Sequence, residues 1–144
     1  MFASILTLCI GNICRSPIAQ CLLQAQTRQH GIRVESAGIR ALEGRPADPQ
    51  VVALMKQRGF DVSTHRARQV TQGMVTEANL ILVMETTQRF TVEDHFPWAR
   101  GKIYSLGHWD GFEIPDPYGQ AADVFETVTE LIVRGVRQWA PRLV

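Results

Sequence analysis

Short apolar runs alternate along the chain with longer amphipathic stretches. Ser4 to Leu8 is an apolar run ending at a glycine-containing turn, and reads as a buried strand. Ser16-Pro17 then predicts a helix start, with a capping residue followed by proline at the first helical position. Ile18, Leu22 and Ala25 continue that helix at helical spacing, and Gly31 stops it. Ile32 to Ser36 reads as a second strand, closed by Ala37-Gly38. Asp48-Pro49 repeats the cap-then-proline signal, and Val52 to Arg58 predicts a helix ended by Gly59. The most apolar run, "NLILVM" at 79–84, suits a central strand, and Lys102 to Leu106 a fourth. From Ala121 on, Val124, Phe125, Val128, Leu131, Ile132, Val136 and Trp139 make one face of a long closing helix, ended by Pro141.

Strands alternating with helices predict an α/β fold: a four-stranded parallel sheet with helices on both faces. Such sheets bind ligands at the carboxyl ends of their strands. Cys9 and Ser36 fall at such ends, as does the loop "GHWDGFEIPDPYG" at 107–119. The pattern shows no repeat, linker or low-complexity segment, so residues 1–144 are expected to form a single domain.

Composition narrows the function classes. The chain is 45% hydrophobic and 20% charged, an ordinary globular balance. Its net charge of +1 gives no basic field for nucleic acid or an acidic membrane surface, and the arginines are scattered. No run approaches the ~20 apolar residues of a membrane span. The N-terminus lacks a basic start and reads straight into a motif, unlike a signal peptide. Three cysteines, at 9, 14 and 21, argue against a disulfide scaffold and for a reducing cytoplasm. With no C-x-x-C, and with His30, His95 and His108 forming no ligand-spaced cluster, no metal site is expected.

The candidate chemistry lies in the first turn. Cys9 and Arg15 fit C-x5-R, and the pair spans a strand-turn-helix with Gly11 and Asn12 in the turn. Glycine and asparagine tolerate the left-handed conformation that folds a loop into a ring of N–H groups. Such a nest, backed by a helix N-terminus, binds an anion. Its dipoles and Arg15 would favour the thiolate of Cys9, and Arg15 can grip two phosphate oxygens. Nucleophile, cradle and clamp in one loop suit phosphoryl transfer to a thiol. The plainer alternative is a buried structural cysteine followed by a surface arginine. Asp116 likewise has a plain reading as an Asp-Pro turn, but it is also an acid in a proline-rigid loop expected to face Cys9. Trp98, Trp109 and Trp139 are most simply packing residues.

"CIGNICRSP" at 9–17 resembles the signature of the low-molecular-weight protein tyrosine phosphatases. "SAG" at 36–38, "HRARQ" at 65–69, "LILVME" at 80–85 and "DPYG" at 116–119 follow in that family's order. "ADP" at 47–49 and "GHWDGFEIPDPY" at 107–118 are most similar to the bacterial exopolysaccharide and capsule type, the Wzb-like enzymes. The resemblance implies Cys9 as nucleophile, Arg15 as phosphate ligand and Asp116 as general acid. It implies that Ile10, Gly11, Asn12, Ile13, Cys14 and Ser16 contact the phosphate group or its aryl ring, with Leu42 and Tyr118 as pocket walls. Asn12, Ser16, Ser36 and His65 match a hydrogen-bond network that shapes the loop, and the Ser16 hydroxyl matches one that helps the thiolate leave. Cys14 matches a second loop cysteine that can pair with Cys9 under oxidation. No cofactor or metal is implied.

The implied substrate is a phosphotyrosine protein, specifically an autophosphorylated membrane tyrosine kinase in polysaccharide export, met by a cytoplasmic monomer. Three departures refine the expectation. Gly119 follows Tyr118 where eukaryotic members often carry a second tyrosine. Ile13 stands where a related arginine-phosphatase group carries threonine. No cysteine follows Cys21, unlike the arsenate reductases of the same fold. A thiol redox protein using Cys9 and Cys14, and a catalytically silent phosphoprotein-binding module, are the alternatives from other classes.

Overall fold

The computed structural model describes residues 2–144. Four strands, β1 (Ser4–Cys9), β2 (Arg33–Gly38), β3 (Leu80–Val83) and β4 (Ile103–Ser105), form one parallel sheet in the order β2-β1-β3-β4. Five helices connect or close it: α1 (Arg15–Thr27), α2 (Pro49–Gln57), α3 (Gln72–Glu77), α4 (Thr86–His95) and α5 (Ala122–Leu143). The α/β class, the parallel sheet and the helices on both faces agree with the sequence reading.

Each face of the sheet is apolar, as a doubly covered parallel sheet requires. Ile5, Leu80 and Leu82 point to one side, where they pack with Ile18 and Leu23 of α1, Met55 of α2 and Phe125 and Ile132 of α5. Leu6, Leu8, Ile81 and Val83 point to the other, against Val75 of α3 and Val92 of α4. The alternation follows from the two-residue period of a strand.

Several boundaries differ from expectation, each for a local reason. Ser16 does not cap α1. The helix begins at Arg15 with Cys14 at its cap position and no side-chain cap, because the Ser16 hydroxyl is committed to Cys9 and Asn12. Regular helix ends at Thr27, and a 3-10 turn (Arg28–His30) carries the chain to Gly31, whose φ of 70° makes the left-handed stop. Asp48 does cap α2, accepting from the Gln50 N–H at 2.9 Å. Pro141 does not end α5, which runs through it to Leu143. Buried Trp139, Ala140 and Leu143 hold that last turn in the core. The periodicity did not delineate α3 or α4. The first is six residues long, and the second buries only Gln88 and Val92. Of the tryptophans, Trp139 is core, and Trp109 packs edge-to-face with it at 5.2 Å under the Arg142 guanidinium.

Gly38 positions the site. It ends β2 opposite Cys9, and a Cβ there would lie 2.6 Å from the Ile10 carbonyl. Only glycine lets the two backbones come so close. Beyond it the chain stays fastened to the loop after β1. The N–H groups of Ile39, Arg40 and Leu42 donate to the carbonyls of Cys9, Ile10 and Gly11 at 2.9–3.0 Å.

Candidate active site

Cys9 is the last residue of β1, and Arg15 the first of α1. The intervening loop turns on Asn12, whose φ of 60° makes it the one non-glycine with positive φ among the described residues. Gly11 was expected to share that conformation and does not. A Cβ there would meet Leu42 at 3.6 Å, an ordinary van der Waals contact.

A left-handed asparagine needs compensation, and Asn12 has it. Its side chain is fully buried and fully bonded. The amide nitrogen donates to Ser16 Oγ (2.8 Å) and Ser36 Oγ (3.0 Å), while Oδ1 accepts from the Arg68 N–H (3.0 Å). His65 Nε2 lies 2.7 Å from the Asn12 carbonyl, which can only accept, so that nitrogen carries the proton. Burial lowers the His65 pKa, against the opposing effect of that hydrogen bond. Ser36 Oγ in turn donates to Gln20 Oε1 at 2.6 Å. The network expected of Asn12, Ser16, Ser36 and His65 is therefore assembled, with Gln20 and Arg68 added.

Ser16 Oγ lies 2.9 Å from Cys9 Sγ. Because it already accepts from Asn12, its single hydrogen is free for the sulfur. Among the described residues, the only other acceptor for it is the Ala37 carbonyl, at 3.5 Å. Cys9 itself is 2% exposed.

The Arg15 side chain is 2% exposed, and its charge is met on one edge. Nη1 donates to Glu85 Oε1 (2.5 Å) and to the Ile114 carbonyl (2.9 Å). Its Nη2 stands 3.9 Å from Asp116 Oδ2. One edge of the guanidinium is thus anchored to the residue after "LILVM" and to the 107–119 loop, which orients the rest of the fork. Asp116 is half exposed, and its Oδ1 accepts from the Tyr118 N–H at 3.0 Å, closing the turn between Pro115 and Pro117. The other acids of that loop are engaged elsewhere. Asp110 is bound by Arg134 and Gln138, and Glu113 accepts from the Thr86 N–H.

These groups meet in one cavity of about 150 Å³, lined by Cys9, Ile10, Gly11, Ile13, Cys14, Arg15, Arg40, Leu42, Asp116 and Tyr118. Ile10, Leu42 and Tyr118 are exposed at the rim, while Ile13 is buried. Asn12, Ser16, Ser36 and His65 lie in the hydrogen-bonded layer beneath. Cys14 is a free thiol whose pKa burial pushes up, with the charge of Asp48 adding to the effect. Among the described residues, no group of three or more His, Cys, Asp or Glu side chains could hold a metal ion.

Four site residues were not singled out from the sequence: Gln20, Glu85, Arg68 and Arg40. Glu85 left a signal, an acid closing an otherwise apolar strand run, which suits a partner for a buried cation. Arg68 holds Asn12 through its backbone N–H and the Ser36 carbonyl through its Nε, and Gln20 and Arg40 left no signal.

The comparisons with known proteins agree with this geometry. The family model for low molecular weight phosphotyrosine protein phosphatase matches residues 4–144. The chain is 46% identical over 143 residues to the probable low molecular weight protein-tyrosine-phosphatase EpsP of Ralstonia nicotianae, covering 99% of this chain and 97% of that one. It is 42% identical over 145 residues to the low molecular weight protein-tyrosine-phosphatase Wzb of Escherichia coli, covering 99% and 97%. The structure of Vibrio vulnificus Wzb in complex with benzylphosphonate superposes with a TM-score of 0.94 at 37% identity, covering 99% of this chain and all of that one. The chain belongs to the low molecular weight phosphotyrosine protein phosphatase family, among enzymes of the EpsP and Wzb kind.

Proposed function

We propose that this phosphatase hydrolyses phosphotyrosine in two steps through a cysteinyl-phosphate, with Cys9, Arg15 and Asp116 as its catalytic residues. The observation that carries this reading is their convergence in one cavity, Arg15 held by Glu85 and the Ile114 carbonyl with Nη2 on the Asp116 side. In the first step the Cys9 thiolate attacks phosphorus. An S–P bond forms, the P–O bond to the tyrosine ring breaks, and Asp116 gives its proton to the leaving phenolate. In the second step water attacks the phosphorus. Asp116 takes the water's proton, the S–P bond breaks, and inorganic phosphate is released. The Ser16 hydroxyl, with its hydrogen free for Sγ, stabilises the departing thiolate. Arg15 and the loop N–H groups take up the charge on the phosphoryl oxygens through both steps.

The rim supports an aromatic substrate. Leu42 and Tyr118 flank the cavity mouth, and the buried sulfur suits a long flat side chain better than a short phosphoserine. The likeness to a Wzb seen with benzylphosphonate, an aryl-bearing phosphate mimic, points the same way. The proposed protein substrate is an autophosphorylated tyrosine kinase in polysaccharide export, acted on in the cytoplasm by the monomer. This reading follows the likeness to EpsP and Wzb.

The test is hydrolysis of p-nitrophenyl phosphate and of matched phosphotyrosine and phosphoserine peptides, by the parent and by Cys9→Ser. Turnover of the aryl substrates by the parent alone, with trapped phosphoenzyme sensitive to thiol chemistry, is the expected result. Thiol exchange without phosphate release would instead identify a redox protein. Phosphate binding without turnover would identify a silent binding module.

A further inference from the structure

Arg40 stands at the mouth of the cavity without a partner. It lines the same space as Cys9, Arg15 and Asp116 and is exposed. Its side chain makes no ion pair and no hydrogen bond among the described residues, whereas Arg15, Arg33, Arg58, Arg68, Arg89 and Arg134 all pair with carboxylates. Its backbone is fixed nonetheless. The Arg40 N–H donates to the Ile10 carbonyl at 2.9 Å, between equivalent bonds from Ile39 and Leu42 to the same loop. The guanidinium therefore springs from a base as rigid as the phosphate loop, with its charge uncommitted.

We infer that Arg40 is a specificity-determining residue that selects substrates with an anionic group beside the phosphotyrosine on the same chain. This inference rests on the catalytic reading above. With the phosphate at Cys9 and the ring between Leu42 and Tyr118, the flanking residues of a substrate lie at the rim, where Arg40 stands. Arg15 is unavailable to them, being buried and bound to Glu85. An arginine stays charged at any working pH, so a flanking carboxylate or second phosphate is attracted and a flanking lysine repelled. Two acids oppose this. Asp116 lines the same mouth, and Glu43 lies in the Arg40 loop. Asp116 stands 3.9 Å from Arg15 Nη2 and makes no ion pair with Arg40, so its nearest cation is Arg15. Glu43 is exposed and pairs with no cation among the described residues, so it leaves Arg40 free.

The experiment compares kcat/KM for peptides identical except beside the phosphotyrosine. One has glutamate on both sides, one glutamine on both sides, and one a second phosphotyrosine next to the first. The parent, Arg40→Gln and Arg40→Glu are each assayed at low ionic strength and in about 0.5 M salt. p-Nitrophenyl phosphate, which has no flanking residues, supplies each protein's reference rate. The parent should favour glutamate over glutamine by about two- to fivefold, the range of an exposed ion pair. Arg40→Gln should bring the ratio to about one, Arg40→Glu should invert it, and salt should abolish it. A stronger preference for the second phosphate than for glutamate identifies phosphate as the anion read; the reverse identifies carboxylate. A parent that cleaves all peptides equally overturns the inference and leaves the catalytic reading standing, as does a preference that survives Arg40→Glu. A parent that cleaves nothing overturns both.

Discussion

At the scale of single residues, Asp116 carries the sharpest expectation. Tyrosine leaves with a pKa of about 10, so its expulsion near neutral pH needs a proton. Asp116→Asn keeps the thiolate, the nest and the Arg15 clamp. Its first-step rate should fall about 10²–10⁴-fold with phosphotyrosine, and far less with aryl phosphates whose leaving groups are already acidic. A series of graded leaving groups, read under conditions that report the first step, checks this. Equal dependence on leaving-group pKa in parent and variant would exclude Asp116 as the acid. Asp110 and Glu113, the remaining acids of the loop, are tied to Arg134 and to the Thr86 N–H and stand outside the cavity lining. Cys14 carries a second expectation. It shares the cavity lining with Cys9, and both are free thiols. Mild peroxide should inactivate the enzyme through a Cys9–Cys14 disulfide that a reductant reopens. In Cys14→Ser the Cys9 sulfenic acid has no resolving thiol, so recovery after strong oxidation should drop. Equal recovery would remove Cys14 from any protective role.

At the scale of elements, the site depends on β2 lying against the loop after β1. The contact is backbone to backbone, with Gly38 beside the Ile10 carbonyl and three N–H groups donating to Cys9, Ile10 and Gly11. Gly38→Ala places a methyl 2.6 Å from that carbonyl and 3.0 Å from Ala41, and backbone must move to admit it. The substitution should cost about 1–3 kcal/mol of stability, as overpacking does. It should also lower kcat/KM in the surviving folded protein, because the displaced segment carries the wall residue Leu42. Thermal melting and kinetics at a temperature where the variant is fully folded separate the two effects. Unchanged kinetics would mean the loop holds its shape without β2. The closing helix shows how packing overrides a local rule. Pro141 reads as a stop, yet the burial of Trp139, Ala140 and Leu143 carries α5 past it.

At the scale of the whole molecule, His65 links the site to stability. It is the partner of the Asn12 carbonyl, and burial lowers its pKa from the ordinary 6.5. The unfolded chain therefore takes up this proton at higher pH than the folded one. His65's contribution to stability is full above about pH 6.5 and is lost as pH falls below it, until the lowered folded value is reached. Melting temperatures from pH 8 to 5 should fall more steeply below pH 6.5 in the parent than in His65→Gln; parallel curves would sink this assignment. The first turn was legible without coordinates because its parts are neighbours in the chain. Cys9, Asn12, Arg15 and Ser16 fall within one strand-turn-helix, and local conformational preference is enough to join them. The α/β class was legible for the same reason, since the two periodicities differ and alternate. The order β2-β1-β3-β4 was not legible, because pairing between distant strands leaves no mark in either strand's own pattern. With that order came the supports that were not expected: Arg68 on Asn12, Glu85 and the Ile114 carbonyl on Arg15, and Arg40 at the rim. Which chemistry the first loop carries was written in its own residues. That Glu85 and the Ile114 carbonyl anchor Arg15, and that Arg40 stands at the cavity mouth, emerged with the folded sheet, because those contacts join residues far apart in the chain.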